Sequence, residues 1–372
     1  MPQALHLNNM EKILMLSTIK RLIPLEVKQW VKAILLRCRV TVIRVFSYNG
    51  FLASLYYTFF SREFYREHKA VLQGRLAYHR AVSRPEQSSA LLRRNIHRLE
   101  KGLIMRPRKA TFATDYIGET VNNYAVASQQ PLFCQAELQW AYDVLTEYFA
   151  VVTDTPVISA ARVGFNTLAA RETTQAKPYP YQQLPDSPVS YQQLKTLFTR
   201  RRAVRWYLPD PVPDKLLQQA ISAAALAPSA CNRQPYQFVL LNNAQQAEAA
   251  AECAMGTVGF AQNLPCLIAV TGDLSAYPAE RDRHVIYIDA ALATMQLMLA
   301  LETLGLSSCP INWPDIEARE QKLAAMLNLP YYQRVVMLLA VGYADPTGGI
   351  AYSQKKPFSL LLKDGSPDAD RS

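Results

Sequence analysis

The sequence predicts an α+β protein in which a mostly helical first half leads, through a proline-rich segment, into alternating helices and short strands. Three observations carry this. Residues 1–172 hold few glycines and repeat apolar residues at helical spacing. Residues 177–190, KPYPYQQLPDSPVS, contain four prolines and no period, which is linker composition. Beyond them, continuous apolar runs such as CLIAVT (266–271) and VVMLLAV (335–341) suit buried strands. The predicted organisation is a basic helical region over 1–176, a linker over 177–190, an α+β domain over 191–362 and a tail over 363–372.

In the first half, Pro24 and Pro85 punctuate the helices, because proline ends or kinks a helix. The clearest helix covers 86–103. Leu92, Ile96, Leu99 and Leu103 fall on one stripe, with Arg93, Arg94, His97, Arg98 and Lys101 opposite. Further helical patterns cover about 117–151 and 157–172. After the linker, helices are expected at about 191–201 and 213–226, the second opening on Pro213 at a favoured first-turn position. A strand, Gln237–Leu241, follows the turn after that helix, and Cys266–Thr271 forms the next. A long apolar helix over about 285–305 ends at Gly305, a natural cap. Leu306–Ile311 reads as a short strand, Ile316–Leu327 as a helix and Val335–Val341 as a buried strand.

Charge is concentrated at one end. Residues 1–110 carry 21 Lys/Arg against 6 Asp/Glu, whereas the whole chain carries 40 against 30. The plain reading is a solvated basic helical face. The sharper one is contact with an anionic membrane surface or polymer. A nucleic-acid partner is not expected. Ala33–Phe60 is apolar but interrupted by Arg37, Arg39 and Arg44, which are costly at a bilayer centre. It fits a helix lying on a membrane surface. Ile286–Leu306 reads as a core helix. No secretory leader pattern is visible. The six cysteines form no CxxC pair and there is no HExxH, so no metal site is expected. They read as reduced, mostly core cysteines of a cytoplasmic protein. Neither GxGxxG nor GxxxxGK[ST] occurs, so a dinucleotide-binding Rossmann unit and a P-loop are unsupported.

Three segments carry the candidate chemistry. Arg200–Arg205 is a basic cluster after a helix. Ala227–Tyr236 (APSACNRQPY) offers hydroxyl, amide and backbone N–H groups in one loop. Leu304–Asn312 (LGLSSCPIN) is a turn at the end of the apolar helix. Together they suit a phosphorylated, flat, partly polar cofactor, with guanidinium groups on the phosphate. Asp289 stands open between a buried structural acid and a substrate-side group.

In order and spacing these segments resemble the nitroreductase-like flavoproteins, which bind FMN. The carriers are RRAVR (201–205), PVP (211–213), APSACNRQPY (227–236), LGLSS (304–308) and VVMLLAVGYADP (335–346). The resemblance implies a mixed sheet flanked by helices, bound FMN with NAD(P)H as reductant, a small-molecule substrate and a homodimer. It implies that Arg201 and Arg205, with Arg202 between them, contact the phosphate and ribityl end. Ala203 replaces the usual serine, so only its backbone can serve. Pro228, Ser229 and Asn232 match the loop at the isoalloxazine edge. Pro310, Ile311 and Asn312 look like the segment whose N–H approaches flavin N5, where a donor stabilises negative charge. Lys356, in the pair Lys355-Lys356, is a second phosphate candidate. No catalytic side chain is named, the chemistry being flavin-centred. Arg93, on a distant helix, is expected to be indifferent to FMN. The stretch Arg94–Leu103 resembles an HxLEKGL motif of long family members that accompany polysaccharide biosynthesis; Phe112-Ala113 stands where they carry an aromatic-glycine step. The competing reading is a non-turnover binding or scaffold protein, tethered by its basic arm at the inner membrane face or to a polymer.

Overall fold

Four strands form the central sheet: β1 (Tyr236–Leu241), β2 (Cys266–Asp273), β3 (Ser307–Asn312) and β4 (Gln333–Gly342). Their order is β1-β2-β4-β3, and every neighbouring pair is antiparallel. The mixed character expected of the sheet is confined to an isolated parallel bridge between Ala203 and Ser308. These features belong to a computed structural model that describes residues 24–82 and 88–363. Pro85 and residues 364–372 of the tail lie outside the described residues.

The apolar runs form strands because both faces of the sheet are covered. Leu267 and Ala269 of β2 join Leu338 and Ala340 of β4 in a core with Val204, Tyr207, Leu264 and Leu323. The alternate residues Cys266, Ile268, Leu339 and Val341 pack on the other face against Leu217, Leu297 and Leu301. The period-two pattern therefore splits one apolar run between two cores. The first face is covered by α10 (Ala244–Ala251) and α12 (Glu317–Met326), the second by α9 (Asp214–Ala224) and α11 (Val285–Thr303). The core assignment of the apolar helix holds: Ile286, Ala293, Leu297 and Leu301 of α11 are fully buried. It is also the one described helix long and apolar enough to cross a membrane by length and composition. Gly305 follows it with φ +79°, a conformation natural to glycine. At the start of this region, Ser190 and Gln193 form a capping box on α8 (Tyr191–Arg200).

The contacts divide the chain into two units, Met1–Tyr65 and Arg66–Ser372. In the first, the stretch read as one surface helix is two. Helix α1 (Leu25–Phe46) begins after Pro24, and α2 (Gly50–Phe59) begins at Asn49, whose side chain accepts from the Leu52 N–H at 2.9 Å. Neither helix buries a residue. Phe46, Tyr56 and Phe60 cluster with ring centroids 5.3–6.0 Å apart.

The second unit includes both the sheet and the helices α3 (Tyr65–Val82, from Arg66 on), α4 (Ala90–Leu103), α5 (Ile117–Ser128), α6 (Gln135–Val151) and α7 (Pro156–Asn166). The proline-rich segment 177–190 runs within this unit. The helical pattern expected over 117–151 is broken at 129–134, where Pro131 cannot continue the backbone ladder. Leu92, Ile96 and Leu99 of α4 are buried with Ile117, Leu138, Leu145 and Tyr148 in a helical core. Only three cysteines meet the core expectation: Cys253, Cys266 and Cys309 are buried, Cys231 is half-buried, and Cys38 and Cys134 are exposed.

Candidate functional site

The loop between α9 and β1 has unusual backbone. Cys231, Asn232 and Gln234 have φ of 53°, 52° and 50°, in the left-handed region that L residues avoid. Each such residue costs about 1–2 kcal/mol, least for asparagine, so the loop needs external restraint. The restraint is visible. Ser229 Oγ accepts from the Gln234 N–H at 3.1 Å, and Gln234 Nε2 donates to the Ala225 carbonyl at 2.7 Å. Asp289 Oδ2, on α11, accepts from the Ala230 N–H at 3.0 Å and from the Tyr277 hydroxyl at 3.3 Å. Burial pushes the Asp289 carboxyl up; the Ala230 and Tyr277 hydrogen bonds and the Arg233 charge oppose that rise. Asp289 is thus a structural acid that pins the loop.

The basic cluster lies on the opposite edge of the sheet. Helix α8 ends at Arg200, which pairs with Glu302 of α11 at 2.9 Å. The chain then runs alongside β3, with Ala203 bridged to Ser308 and the Val204 N–H donating to the Ser308 carbonyl at 3.1 Å. Arg201 and Arg205 both act on the Cys309 thiol: burial raises its pKa, and the two guanidinium groups oppose that. Among the described residues, Arg201, Arg202 and Arg205 are paired with no carboxylate. Beyond Ser308 the outer edge of β3, carrying Pro310, Ile311 and Asn312, meets no further described strand. Proline is tolerated there because an edge strand leaves one side unpaired. The donor set suits a phosphorylated planar ligand: unpaired guanidinium groups for the phosphate, then a strand edge for polar ring atoms.

The structure brings Ala203 beside Ser308, and Arg201 and Arg205 near Cys309, with Arg202 between them in the chain and Pro310–Asn312 next along β3. It does not bring Pro228, Ser229 and Asn232 to them. The loop precedes β1 and the arginines flank the start of β3, at opposite edges of the sheet. Three strand spacings separate those edges, roughly 14 Å, and the register adds on the order of 20 Å along the strands. Lys356 sits in an exposed segment without regular structure and makes no ion pair among the described residues.

Arg93 is neither remote nor on a solvent face. Its Nε donates to the Asn232 carbonyl at 2.7 Å and its Nη2 to Gln234 Oε1 at 2.9 Å. Its Nη1 reaches Glu137 Oε2 at 3.2 Å, and the guanidinium lies 5.4 Å from the Trp140 ring centroid. The expectation that Arg93 lies far from the 227–236 loop is corrected accordingly. Two other residues opposite the apolar stripe, Arg98 and His97, also make side-chain contacts. Arg98 lies over the Tyr116 ring at 3.7 Å, and His97 contacts Glu100, which accepts from Trp140 Nε1 at 2.9 Å. At Phe112-Ala113, Ala113 has φ +65°, and the Phe112 ring fills the space a Cβ on Gly102 would need.

The chain thus combines a helix-covered antiparallel sheet, arginines at one edge that pair with no carboxylate among the described residues, and a strained polar loop after α9. A model of the nitroreductase family matches residues 198–343. An NADH dehydrogenase of Thermus thermophilus is 30% identical over 186 residues, covering 41% of this chain and 88% of that protein. A putative NADH dehydrogenase/NAD(P)H nitroreductase of Archaeoglobus fulgidus is 30% identical, covering 40% and 84%. The FMN reductase [NAD(P)H] of Bacillus subtilis is 28% identical, covering 39% and 63%. The chain belongs to the nitroreductase family.

Proposed function

We propose that the protein is an FMN-dependent oxidoreductase that takes electrons from NADH or NADPH and delivers them to a small-molecule acceptor. The observation that carries this is the row of unpaired Arg201, Arg202 and Arg205 beside the open edge of β3. Relatives named for NADH, NAD(P)H and FMN support the same reading. FMN supplies electron transfer when bound. The chain's own residues do the rest. The arginines hold the phosphate, the outward Asn312 N–H at the edge of β3 is offered to the ring, and the loop at Asn232 covers the ring edge. The absence of a dinucleotide fingerprint favours FMN over FAD. The α4 motif residues serve packing, as His97, Glu100 and Gly102 show, so they identify no acceptor. Denaturing the protein and chromatographing the released flavin should yield FMN; recovery of FAD, or of nothing after reconstitution, overturns the proposal.

A homodimer accompanies this reading. One chain holds the arginines and the Asn232 loop at opposite corners of its sheet, whereas two chains can bring one set from each to a shared site. Ile288, Leu292 and Met295 form an exposed apolar stripe on α11 at i, i+4 and i+7, a face suited to a second copy. Sedimentation should give a dimer.

Attachment to an anionic membrane surface is the second reading, favoured by α1 and α2. Trp30, Leu35, Leu36, Phe51 and Phe59 are exposed there beside Lys28, Lys32, Arg37, Arg39 and Arg44. Arginine stems can lie along an apolar surface with their heads in water. The protein is then cytoplasmic and peripheral at the inner membrane face. Full-length protein should sediment with anionic liposomes more than with neutral ones. Changing Arg37, Arg39 and Arg44 to Gln should weaken this, and so should 1 M salt, which shortens the Debye length to about 3 Å. Indifference to liposome charge contradicts the attachment.

A further inference from the structure

The Asn232 loop is restrained from two sides, and one side belongs to the helical region that precedes the family-matched segment. From the sheet side, Asp289 holds Ala230. From the helical side, Arg93 holds two of the three left-handed residues, Asn232 and Gln234, which lie 139 and 141 positions away in sequence. Its side chain is 16% exposed and that of Glu137 10%. Every guanidinium nitrogen has a partner: Nε on a loop carbonyl, Nη2 on a loop side chain, Nη1 on Glu137. The planar fork matches that arrangement, and a lysine could satisfy only part of it. The guanidinium takes the Asn232 backbone carbonyl and leaves the Asn232 carboxamide without a hydrogen bond among the described residues, available to a ligand.

We propose that Arg93 is a positioning residue for the flavin loop, by which α4 of the helical region sets the conformation of Asn232 and hence the affinity for FMN. The inference rests on the FMN reading above. It gives the added helices a function at the cofactor: they complete the loop rather than merely carry charge. Glu137 accepts from Nη1 and balances the Arg93 charge in its half-dry setting.

The test compares FMN affinity and hydrogen exchange of full-length protein with those of three variants. Arg93→Ala should weaken FMN binding by about 10- to 100-fold, the worth of charge-assisted hydrogen bonds. Arg93→Lys should recover part of the loss. Because Arg93→Ala strands a buried Glu137, the pair Arg93→Met with Glu137→Gln removes both charges and keeps the volume. It should melt close to the parent yet show the same loss. Exchange should quicken at 229–236 and stay unchanged in α6. If the parent binds FMN and the folded variants bind it equally well, the inference fails and the FMN reading stands. If the parent binds no FMN, that reading fails, and unchanged exchange at 229–236 in the variants overturns Arg93's role separately. Loss of FMN only together with global unfolding also overturns it.

Discussion

Gly102→Ala separates a packing role for the last turn of α4 from mere helix propensity, because the two predict opposite signs. A Cβ on Gly102 falls 2.4 Å from Phe112 Cε2 and 2.5 Å from Cδ2. The Phe112 ring cannot yield freely. It packs edge-on against Tyr148 with centroids 5.0 Å apart, and the Phe112 carbonyl accepts from the Tyr148 hydroxyl at 2.8 Å. Tyr148 is itself fully buried, so the pair is anchored. Overpacking of this kind costs about 2–3 kcal/mol. Replacing a helical glycine by alanine returns about 0.5–1 kcal/mol. The net is a destabilisation of about 1–2.5 kcal/mol, or a fall in Tm of roughly 1.5–4 °C for a unit the size of Arg66–Ser372. Thermal unfolding followed by circular dichroism at two scan rates reads it directly. A Tm that rises by a degree or more refutes the packing argument, since only propensity then operates.

Arg201→Ala and Arg205→Ala should each weaken FMN binding by about 1.5–3 kcal/mol, roughly 10- to 150-fold by fluorescence titration, with little change in Tm. Equal loss in Arg162→Ala, whose guanidinium bonds Asp154 and Phe149 far from the site, would mark general destabilisation instead. The pH dependence of stability should carry the Glu317 signature. Its hydrogen bond to Arg66 lowers the carboxyl below its ordinary 4.5. A depressed carboxyl gives stability that is present above the unfolded value and fades as pH falls through the folded one. The Tm gap between parent and Glu317→Gln should therefore be constant well above pH 4.5 and narrow progressively as pH falls below it; a gap that widens on acidification contradicts the pairing.

The α+β half was legible because each strand is an apolar run bounded by turn residues. Cys266–Thr271 and Val335–Val341 needed only the knowledge that both faces are covered. Gly305 and Pro213 marked helix ends by stereochemistry alone. Helix α10 went unread although Asn243 caps it, accepting from the Gln245 and Gln246 N–H groups, because its buried residues are alanines that leave a weak apolar pattern. The break at Pro131 was readable, but the flanking helical periods on either side masked it. Strand order was not legible, and so neither was the separation of Asn232 from Arg201. The Arg93 contact joins residues some 140 positions apart, and a basic residue opposite an apolar stripe reads as solvated unless the second layer that covers it is known. Asp289 had one signal, an acid in an apolar helix, which marked burial without naming the Ala230 N–H that justifies it.

The most direct test of the account is reduction of the purified, FMN-reconstituted protein under anaerobic conditions. Addition of NADH or NADPH should bleach the bound flavin's visible absorbance, and a small electron acceptor added afterwards should restore it, both steps slowing in Arg201→Ala at subsaturating FMN. Flavin that binds tightly yet stays oxidised with either nicotinamide would contradict turnover and leave a binding protein on a nitroreductase fold.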